Sequence, residues 1–163
     1  FGGFSAIAVT EGGAGFVALS DRALLVTGRL ERTDGRITGV TVTDRAAVLD
    51  QSGGAMSLLR GDSEGLAVAP DDTLFISFEG VPRVRMQDGL RGFPRLVATH
   101  PDFGRMQENA ALEALARGPD GSLYTIPEEP LPGDSRFPVY RLRDGTWDIA
   151  LRFGRVGSYL VSG

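Results

Sequence analysis

The fold of this chain is decided by one stretch, Ser63-Glu64-Gly65-Leu66-Ala67-Val68-Ala69-Pro70-Asp71-Asp72-Thr73-Leu74-Phe75-Ile76-Ser77-Phe78-Glu79. An apolar run follows Glu64 and stops at Pro70-Asp71-Asp72, and a second apolar run, residues 74–78, ends on Glu79. Proline presets φ for a turn, and aspartate side chains hydrogen-bond back to the turn backbone. Two apolar runs of about five residues joined by a short polar break are typical of a β-hairpin.

The same pattern recurs 49 residues later, in Leu112-Glu113-Ala114-Leu115-Ala116-Arg117-Gly118-Pro119-Asp120-Gly121-Ser122-Leu123-Tyr124-Thr125-Ile126-Pro127-Glu128. The aligned acids are Glu64 with Glu113 and Glu79 with Glu128. A looser copy near the N-terminus has Ser5 in place of the first glutamate and Asp21 in place of the second, and a fourth copy begins at Gly157. Self-similarity at a period of roughly 40–60 residues, with units made of short strands, indicates propeller blades.

We therefore predict an all-β fold of β-propeller blades, with about three four-stranded blades and the start of a fourth. The chain is one domain, and its repeat units span residues 1–50, 63–100, 112–153 and 157–163. Residues 101–111 are the least strand-like part, and we expect a short helical turn there. Three blades and a fragment would leave sheet edges exposed. We therefore expect the chain to be part of a larger propeller, with self-association as the alternative.

The composition excludes several classes of function. The chain has 163 residues, of which 42% are hydrophobic and 23% charged, as in ordinary globular domains. No apolar run approaches the ~20 residues that cross a bilayer. The net charge of −4 and the lack of a basic cluster argue against nucleic-acid binding. Without cysteine there is neither a disulfide nor thiolate chemistry. All 17 basic residues are arginine, which indicates a bacterial source with GC-rich codons.

The repeated glutamates predict a cation site. The innermost strand of a propeller blade lines the central channel, so Glu64 and Glu113 would converge near one mouth if they occupy equivalent positions in adjacent blades. Because close carboxylates repel, one must take a proton or both must share a cation. Calcium takes 6–8 oxygen ligands at about 2.3–2.6 Å and suits such a site, to which Asn109 would add a carbonyl oxygen. A bound cation polarises a phosphoryl or acyl oxygen and lowers the pKa of bound water.

These glutamates also have a structural interpretation, which the sequence leaves open. Glu64 and Glu113 would then accept hydrogen bonds from loop amides of neighbouring blades. For Asp21, Glu79 and Glu128, which end the second strands, a structural role is the favoured interpretation. The same three acids are weaker candidates for contacts with substrate.

Two other residue types are candidates for catalysis or binding. Arg83 and nearby arginines would recognise phosphate through bidentate hydrogen bonds, but solvated blade edges explain them equally well. His100 is the only histidine, and a lone histidine is more often packed or solvated than catalytic. No Gly-x-Ser-x-Gly elbow is present, so a Ser-His-Asp triad has little support.

Several motifs together resemble the phytase-like family, "esterase-like activity of phytase". They are Glu64-Gly65-Leu66-Ala67-Val68-Ala69-Pro70-Asp71, Asn109 with Leu112-Glu113-Ala114-Leu115-Ala116, Pro119-Asp120-Gly121, Pro127-Glu128-Glu129, and Phe1-Gly2-Gly3-Phe4-Ser5-Ala6-Ile7-Ala8 with Leu19-Ser20-Asp21-Arg22. The resemblance implies a β-propeller with hydrolase activity that bacteria export to the periplasm or the medium. The chain is shorter than the family pattern. The Glu-Gly-Leu-Ala unit is also similar to blades of gluconolactonase-like propellers, in which such glutamates face a central divalent cation.

The leading prediction is a divalent-cation-assisted hydrolase of phosphate or carboxylic esters, acting on a small ester or anionic substrate. Glu64 and Glu113 would hold the ion or orient water. The competing hypothesis is a non-catalytic propeller that binds a ligand or protein and whose channel cation is structural.

Overall fold

A computed structural model of the chain describes residues 3–162 and is all-β. Its strands form three antiparallel four-stranded sheets, and within each sheet every strand pairs with the next one along the chain. The predicted fold of propeller-like blades is thereby confirmed. Phe1 and Gly2, which contribute to the sequence resemblance, and Gly163, which closes the predicted fourth unit, lie outside the described residues.

The three blades follow one another along the chain. Blade 1 contains β1 (Phe4–Thr10), β2 (Gly15–Ser20), β3 (Leu24–Thr33) and β4 (Arg36–Ala47). Blade 2 contains β5 (Ser63–Val68), β6 (Thr73–Phe78), β7 (Arg83–Asp88) and β8 (Arg95–Leu96). Blade 3 contains β9 (Leu112–Arg117), β10 (Leu123–Pro127), β11 (Arg136–Arg143) and β12 (Thr146–Gly154). The short helical turns are 3-10 helices at Glu11–Gly13 and Pro101–Arg105.

Two segments have little strand structure. In the outermost strand of blade 2 only Arg95 and Leu96 pair with β7. Residues 157–162, the predicted start of a fourth unit, contain no strand among the described residues. A strand requires a partner for its backbone groups, and this segment makes one bond to blade 3, from the Val161 amide to the carbonyl oxygen of Glu128.

The hairpin turns form as the Pro-Asp pattern predicts. In blade 2 the Ala69 amide donates to the carbonyl oxygen of Thr73, and a carboxylate oxygen of Asp71 accepts the Thr73 amide at 3.2 Å. In blade 3 the Ser122 amide donates to Asp120 at 3.1 Å in the same manner. The aspartate side chains therefore fix both turns, and with them the register of each inner strand pair.

Two apolar cores hold the blades together. One lies between blades 1 and 2 and is built from Leu19, Leu25, Leu66, Leu74, Ile76, Phe78 and their neighbours. The other lies between blades 2 and 3 and includes Val84, Phe103, Leu112, Leu123, Tyr140 and Trp147. Because each core draws on two blades, the blades stack face to face and their innermost strands, β1, β5 and β9, lie side by side.

Gly65 explains why the Glu-Gly pair begins the inner strand of blade 2. A Cβ atom at position 65 would lie 2.7 Å from the backbone nitrogen of Leu115 and 2.5 Å from Oγ of Ser77. Glycine thus permits a close approach of β5 to β9, and the Gly65 amide donates to that same Oγ at 2.8 Å. The neighbouring Glu64 is held where the two blades meet.

No helix within residues 3–162 is long and apolar enough to cross a membrane.

Candidate functional site

A β-bulge interrupts each inner strand at the same end of its blade. In β5 the register moves from the pair Ser63–Phe78 to the pair Leu66–Ile76, so three steps on β5 oppose two on β6. Matching shifts occur between Phe4 and Ala6 in β1 and opposite Ile126 and Pro127 in β9. Bulges turn a side chain away from its regular direction and are common beside active sites. The residues in or beside these bulges are Ser5, Glu64 and Glu113.

The three bulge residues meet at one mouth of the blade assembly. Ser5 forms a side-chain hydrogen bond with Glu64, and the charge of Glu113 acts on Glu64 as well. Inner strands start, and second strands end, at this mouth because the strands are antiparallel. The two repeated glutamates are therefore close enough to interact, and their role in a cation or catalytic site stays a prediction.

Three carboxylates form a compact group at this mouth. Asp62 immediately precedes β5, Glu64 lies in its bulge, and Glu79 immediately follows β6. One carboxylate oxygen from each lies within 4.8 Å of the other two. Glu79 is buried, with 8% of its surface exposed, while Asp62 and Glu64 are half-buried. We call Asp62, Glu64 and Glu79 the mouth cluster.

The mouth cluster holds more negative charge than its surroundings compensate. Burial, together with the charges of Glu113, Asp62 and Glu79, raises the pKa of Glu64 to about 8. Burial also raises the pKa of Glu79 to about 6, against the opposing effect of its bond to the Ala111 amide. The pKa of Asp62 is raised by burial despite a hydrogen bond from Glu64. Of the three acids, Glu64 has the pKa raised furthest, and in its protonated form its hydroxyl donates a hydrogen bond to the carboxylate of Asp62.

The acids that end the second strands share a backbone arrangement. The backbone amide of each acid donates to the carbonyl oxygen of a residue at the start of the inner strand of its own blade. These bonds run from Asp21 to Gly3 at 3.1 Å, from Glu79 to Asp62 at 2.9 Å and from Glu128 to Ala111 at 2.7 Å. Their carboxylates bind loop backbone as well. Asp21 accepts the Gly3 amide at 3.1 Å, and Glu79 accepts the Ala111 amide at 3.2 Å. Both bonds match the structural interpretation of these acids.

A cavity of about 600 Å³ opens beside the mouth cluster. Glu64 and Ser5 line its polar part, and the remaining wall is largely apolar, with Phe16, Val26 and Leu30 of blade 1 among its side chains. Volumes of this size are typical of small-molecule sites with a few polar groups in an apolar wall. Glu64 therefore belongs both to the mouth cluster and to the lining of a cavity large enough for a small ligand.

A family model described as "Phytase-like: Esterase-like activity of phytase" matches residues 1–159, which is all of the chain except its last four residues. The chain belongs to the phytase-like family. The resemblance drawn from the sequence motifs is confirmed by this match. No curated protein matches the chain.

Two other residues predicted for the site of this phytase-like chain, Asn109 and Arg83, are not members of the mouth cluster. Asn109 is in the exposed turn before β9, with a left-handed backbone (φ 58°), and its role as a ligand stays a prediction. Arg83 is 6% exposed, and its guanidinium lies 4.0 Å above the ring of Phe78. It donates to the carbonyl oxygens of Val81, at 2.7 Å, and Arg60. Burial lowers the pKa of Arg83 to about 10. These donors serve the protein's own backbone.

His100 of the phytase-like chain contacts the second 3-10 helix and blade 3. Its Nδ1 accepts the Asp102 amide at 3.1 Å at the start of the second 3-10 helix, and its ring lies 5.0 Å from that of Tyr140. The hydroxyl of Tyr140 donates to Asp102 at 3.0 Å. The three side chains fasten the connection between blades 2 and 3 onto blade 3.

Asp62 is the site residue that sequence reasoning missed. It lies outside the apolar run and has no acidic counterpart in the other units, where Gly3 and Ala111 occupy the equivalent positions. The available signal was the Asp-x-Glu spacing of Asp62 and Glu64, because side chains two apart share a face of a strand.

Proposed function

We propose that the mouth cluster hydrolyses phosphate or carboxylic esters with the help of a divalent cation, for which calcium is the first candidate. The observation that supports this is the approach of three carboxylates to within 4.8 Å at the wall of a ligand-sized cavity. Membership of the phytase-like family supports a hydrolase-like propeller at the level of the family.

The donor set fits a calcium ion. Two oxygens that bind one calcium ion at about 2.4 Å are at most about 4.8 Å apart, which the mouth cluster satisfies without rearrangement of its backbone. Carboxylate oxygens are the hard donors that calcium and magnesium prefer. The raised pKa values of Glu64 and Glu79 are also the expected mark of carboxylates that lack a countercharge.

Each residue has a role in this proposal. Asp62, Glu64 and Glu79 hold the cation, with Asn109 as a further oxygen donor. When bound, the cation polarises the ester oxygen and lowers the pKa of a bound water. The carboxylate of Glu113 would take one proton from the attacking water as the new bond to carbon or phosphorus forms. It would return this proton to the ester oxygen as the old bond to that oxygen breaks, so that the leaving group departs as the alcohol.

The remaining predicted site residues have secondary roles in the proposal. Asp21 and Glu128 border the mouth and limit which substrates approach. Arg83 assists an anionic substrate only if its backbone bonds to Val81 and Arg60 are released.

Turnover of 4-nitrophenyl phosphate and 4-nitrophenyl acetate tests the proposal. We expect hydrolysis that calcium supports, that a chelator abolishes and that falls at least a hundredfold in Glu64→Gln. The matched control is Glu11→Gln, which makes the same substitution beside β1 at the opposite end of blade 1, at a side chain that is 62% exposed. Calcium-independent turnover, or equal loss in both variants, would refute the assignment.

A non-catalytic propeller with a structural cation is the second candidate. The bond from the Ala111 amide of blade 3 to the Glu79 carboxylate of blade 2 favours it, because this acid already links two blades. In this case calcium raises the melting temperature, Glu64→Gln abolishes that rise, and no ester is hydrolysed under any condition.

We also propose, from the family alone, that bacteria export this protein to the periplasm or the medium. Fractionation of the native host, followed by detection of the protein with an antibody, tests the location.

A further inference from the structure

A buried hydroxyl lies in the β-bulge that carries Glu64. The register of β5 with β6 leaves Glu64, Gly65 and Ser77 unpaired. The Gly65 amide donates to Oγ of Ser77 at 2.8 Å, and Ser77 is completely buried. This amide belongs to the planar peptide unit that joins Glu64 to Gly65. The hydrogen bond therefore fixes the orientation of the backbone on the carboxyl side of Glu64.

The pair of glycine and serine is specific to blade 2 among the three blades. At the corresponding positions Ala6 faces Leu19 in blade 1, and Ala114 faces Ile126 in blade 3. An apolar side chain is thus sufficient to build this part of a blade. Burial of a hydroxyl is unfavourable unless it forms a hydrogen bond. Its presence in blade 2 therefore indicates a local requirement for the bond across the bulge.

Blade 3 has a different buried hydroxyl beside its own glutamate. Oγ1 of Thr125, a residue that is 1% exposed, donates to the carbonyl oxygen of Ala114 at 2.8 Å, and Ala114 follows Glu113. Blade 1 has Ser5 in its bulge, and its two corresponding residues on the second strand are alanine and leucine. A buried hydroxyl therefore binds the residue after the glutamate in both blades that carry one.

The surroundings of Glu64 give this support a purpose. Its carboxylate is at the end of a flexible side chain and lies close to the carboxylates of Asp62 and Glu79. Like charges at such distances repel one another. A cation that binds all three carboxylates gains affinity when a neighbouring group holds each ligand in place before the ion arrives.

We propose that Ser77 is a positioning residue, which fixes the backbone after Glu64 and thereby directs the Glu64 carboxylate toward Asp62 and Glu79. Because Ser77 is completely buried, it acts through Glu64 and not by contact with the cation or the substrate. The inference rests on the proposed function, since it gives Ser77 a part in binding the cation at the mouth cluster.

Calorimetric titration of the chain with calcium tests this role. Loss of a group that orients a metal ligand typically weakens binding by about 10–100-fold, so Ser77→Ala should raise the calcium dissociation constant at least about tenfold. Ser77→Thr keeps the hydroxyl and should retain most of the affinity. The matched control is Ser122→Ala, at a residue that is 3% exposed and whose hydroxyl donates to Asp120 at 2.9 Å at the opposite end of blade 3. This control should leave the dissociation constant unchanged.

Urea denaturation with chelator separates the positioning of Glu64 from a general effect on stability. Ser77→Ala and Ser122→Ala each remove a buried hydrogen bond, so both should lower the free energy of unfolding. Only Ser77→Ala should also weaken calcium binding. If Ser77→Ala does not fold, Ser77→Cys takes its place, because it keeps the size of the side chain, weakens the acceptor and should change calcium affinity in the same direction.

Ester turnover distinguishes a failure of this role from a failure of the proposed hydrolase. Calcium binding that Ser77→Ala leaves unchanged, or that Ser122→Ala or Ser77→Thr weakens equally, would overturn the role of Ser77 and leave the hydrolase standing. Calcium binding that Ser77→Ala weakens and Ser77→Thr preserves, without hydrolysis of 4-nitrophenyl phosphate or 4-nitrophenyl acetate, would support the role and refute the hydrolase. A wild type that binds no calcium would overturn both.

Discussion

The strongest quantitative expectation concerns the pH dependence of stability without a cation. The pKa of Glu64 is raised from its ordinary value of 4.5 to about 8 in the folded protein. The stabilisation that protonated Glu64 provides is therefore complete below pH 4.5 and is lost as the pH rises to 8. The free energy of unfolding in the presence of a chelator should fall across this window, and Glu79 adds a change of the same sign up to pH 6.

The magnitude follows from the shift and the exposure of the side chain. At about 1.4 kcal/mol per pKa unit, the shift sets an upper bound of about 5 kcal/mol. Because Glu64 is only half-buried, solvent screening reduces this to about 2 kcal/mol. For a chain of this length that corresponds to about 6 °C in melting temperature.

Urea denaturation of the wild type and Glu64→Gln at pH 5 and pH 8.5, each with chelator and with excess calcium, measures this effect. With chelator, the wild type should lose about 2 kcal/mol more than the variant between the two pH values. With calcium the wild type should lose little, because an ion at 100 times its dissociation constant adds about 2.7 kcal/mol. Parallel pH profiles of the two proteins with chelator would refute the charge crowding at the mouth cluster.

Two further predictions concern the packing that positions the site. Gly65→Ala should lower the free energy of unfolding in urea by about 2 kcal/mol, because its Cβ would meet the β9 backbone. The control is Gly104→Ala, whose Cβ would meet nothing within 4 Å, and an equal loss of unfolding free energy in both variants would contradict the close approach of β5 to β9. Tyr140→Phe should cost about 1–2 kcal/mol, because the buried bond to Asp102 is lost. Tyr159→Phe, at a 77% exposed position, should change little, and a neutral Tyr140→Phe would show that this bond contributes nothing.

The strands and turns were predictable because the information about them is local. The Pro-Asp turns carry their own side-chain acceptors, and the bond from the Thr73 amide to Asp71 forms within three residues. The recurrence of the Glu64 pattern at Glu113 was sufficient to predict blades and the meeting of these two acids. The turns follow from residues adjacent in the sequence, and the blades follow from the repetition of one sequence pattern.

The composition of the mouth cluster was less predictable because it depends on bulges and on contacts between blades. A bulge is a mismatch between two strands, so the β5 sequence alone does not reveal it. Asp62 lacks an acidic counterpart in the repeat. The sequence places Glu79 at the end of a strand but does not reveal its contact with Asp62. The burial of Arg83 likewise depends on the connection that covers it, which includes Arg60 and has no repeated pattern.

The bulges have a consequence for how this site acquires its chemistry. At positions 5, 64 and 113 the pairing with the second strand is interrupted, so the side chain there is not part of the regular pattern that holds a blade together. The three units indeed carry serine, glutamate and glutamate at these positions on the same framework. Each blade thus offers one position at the mouth whose side chain can change while the surrounding architecture is kept.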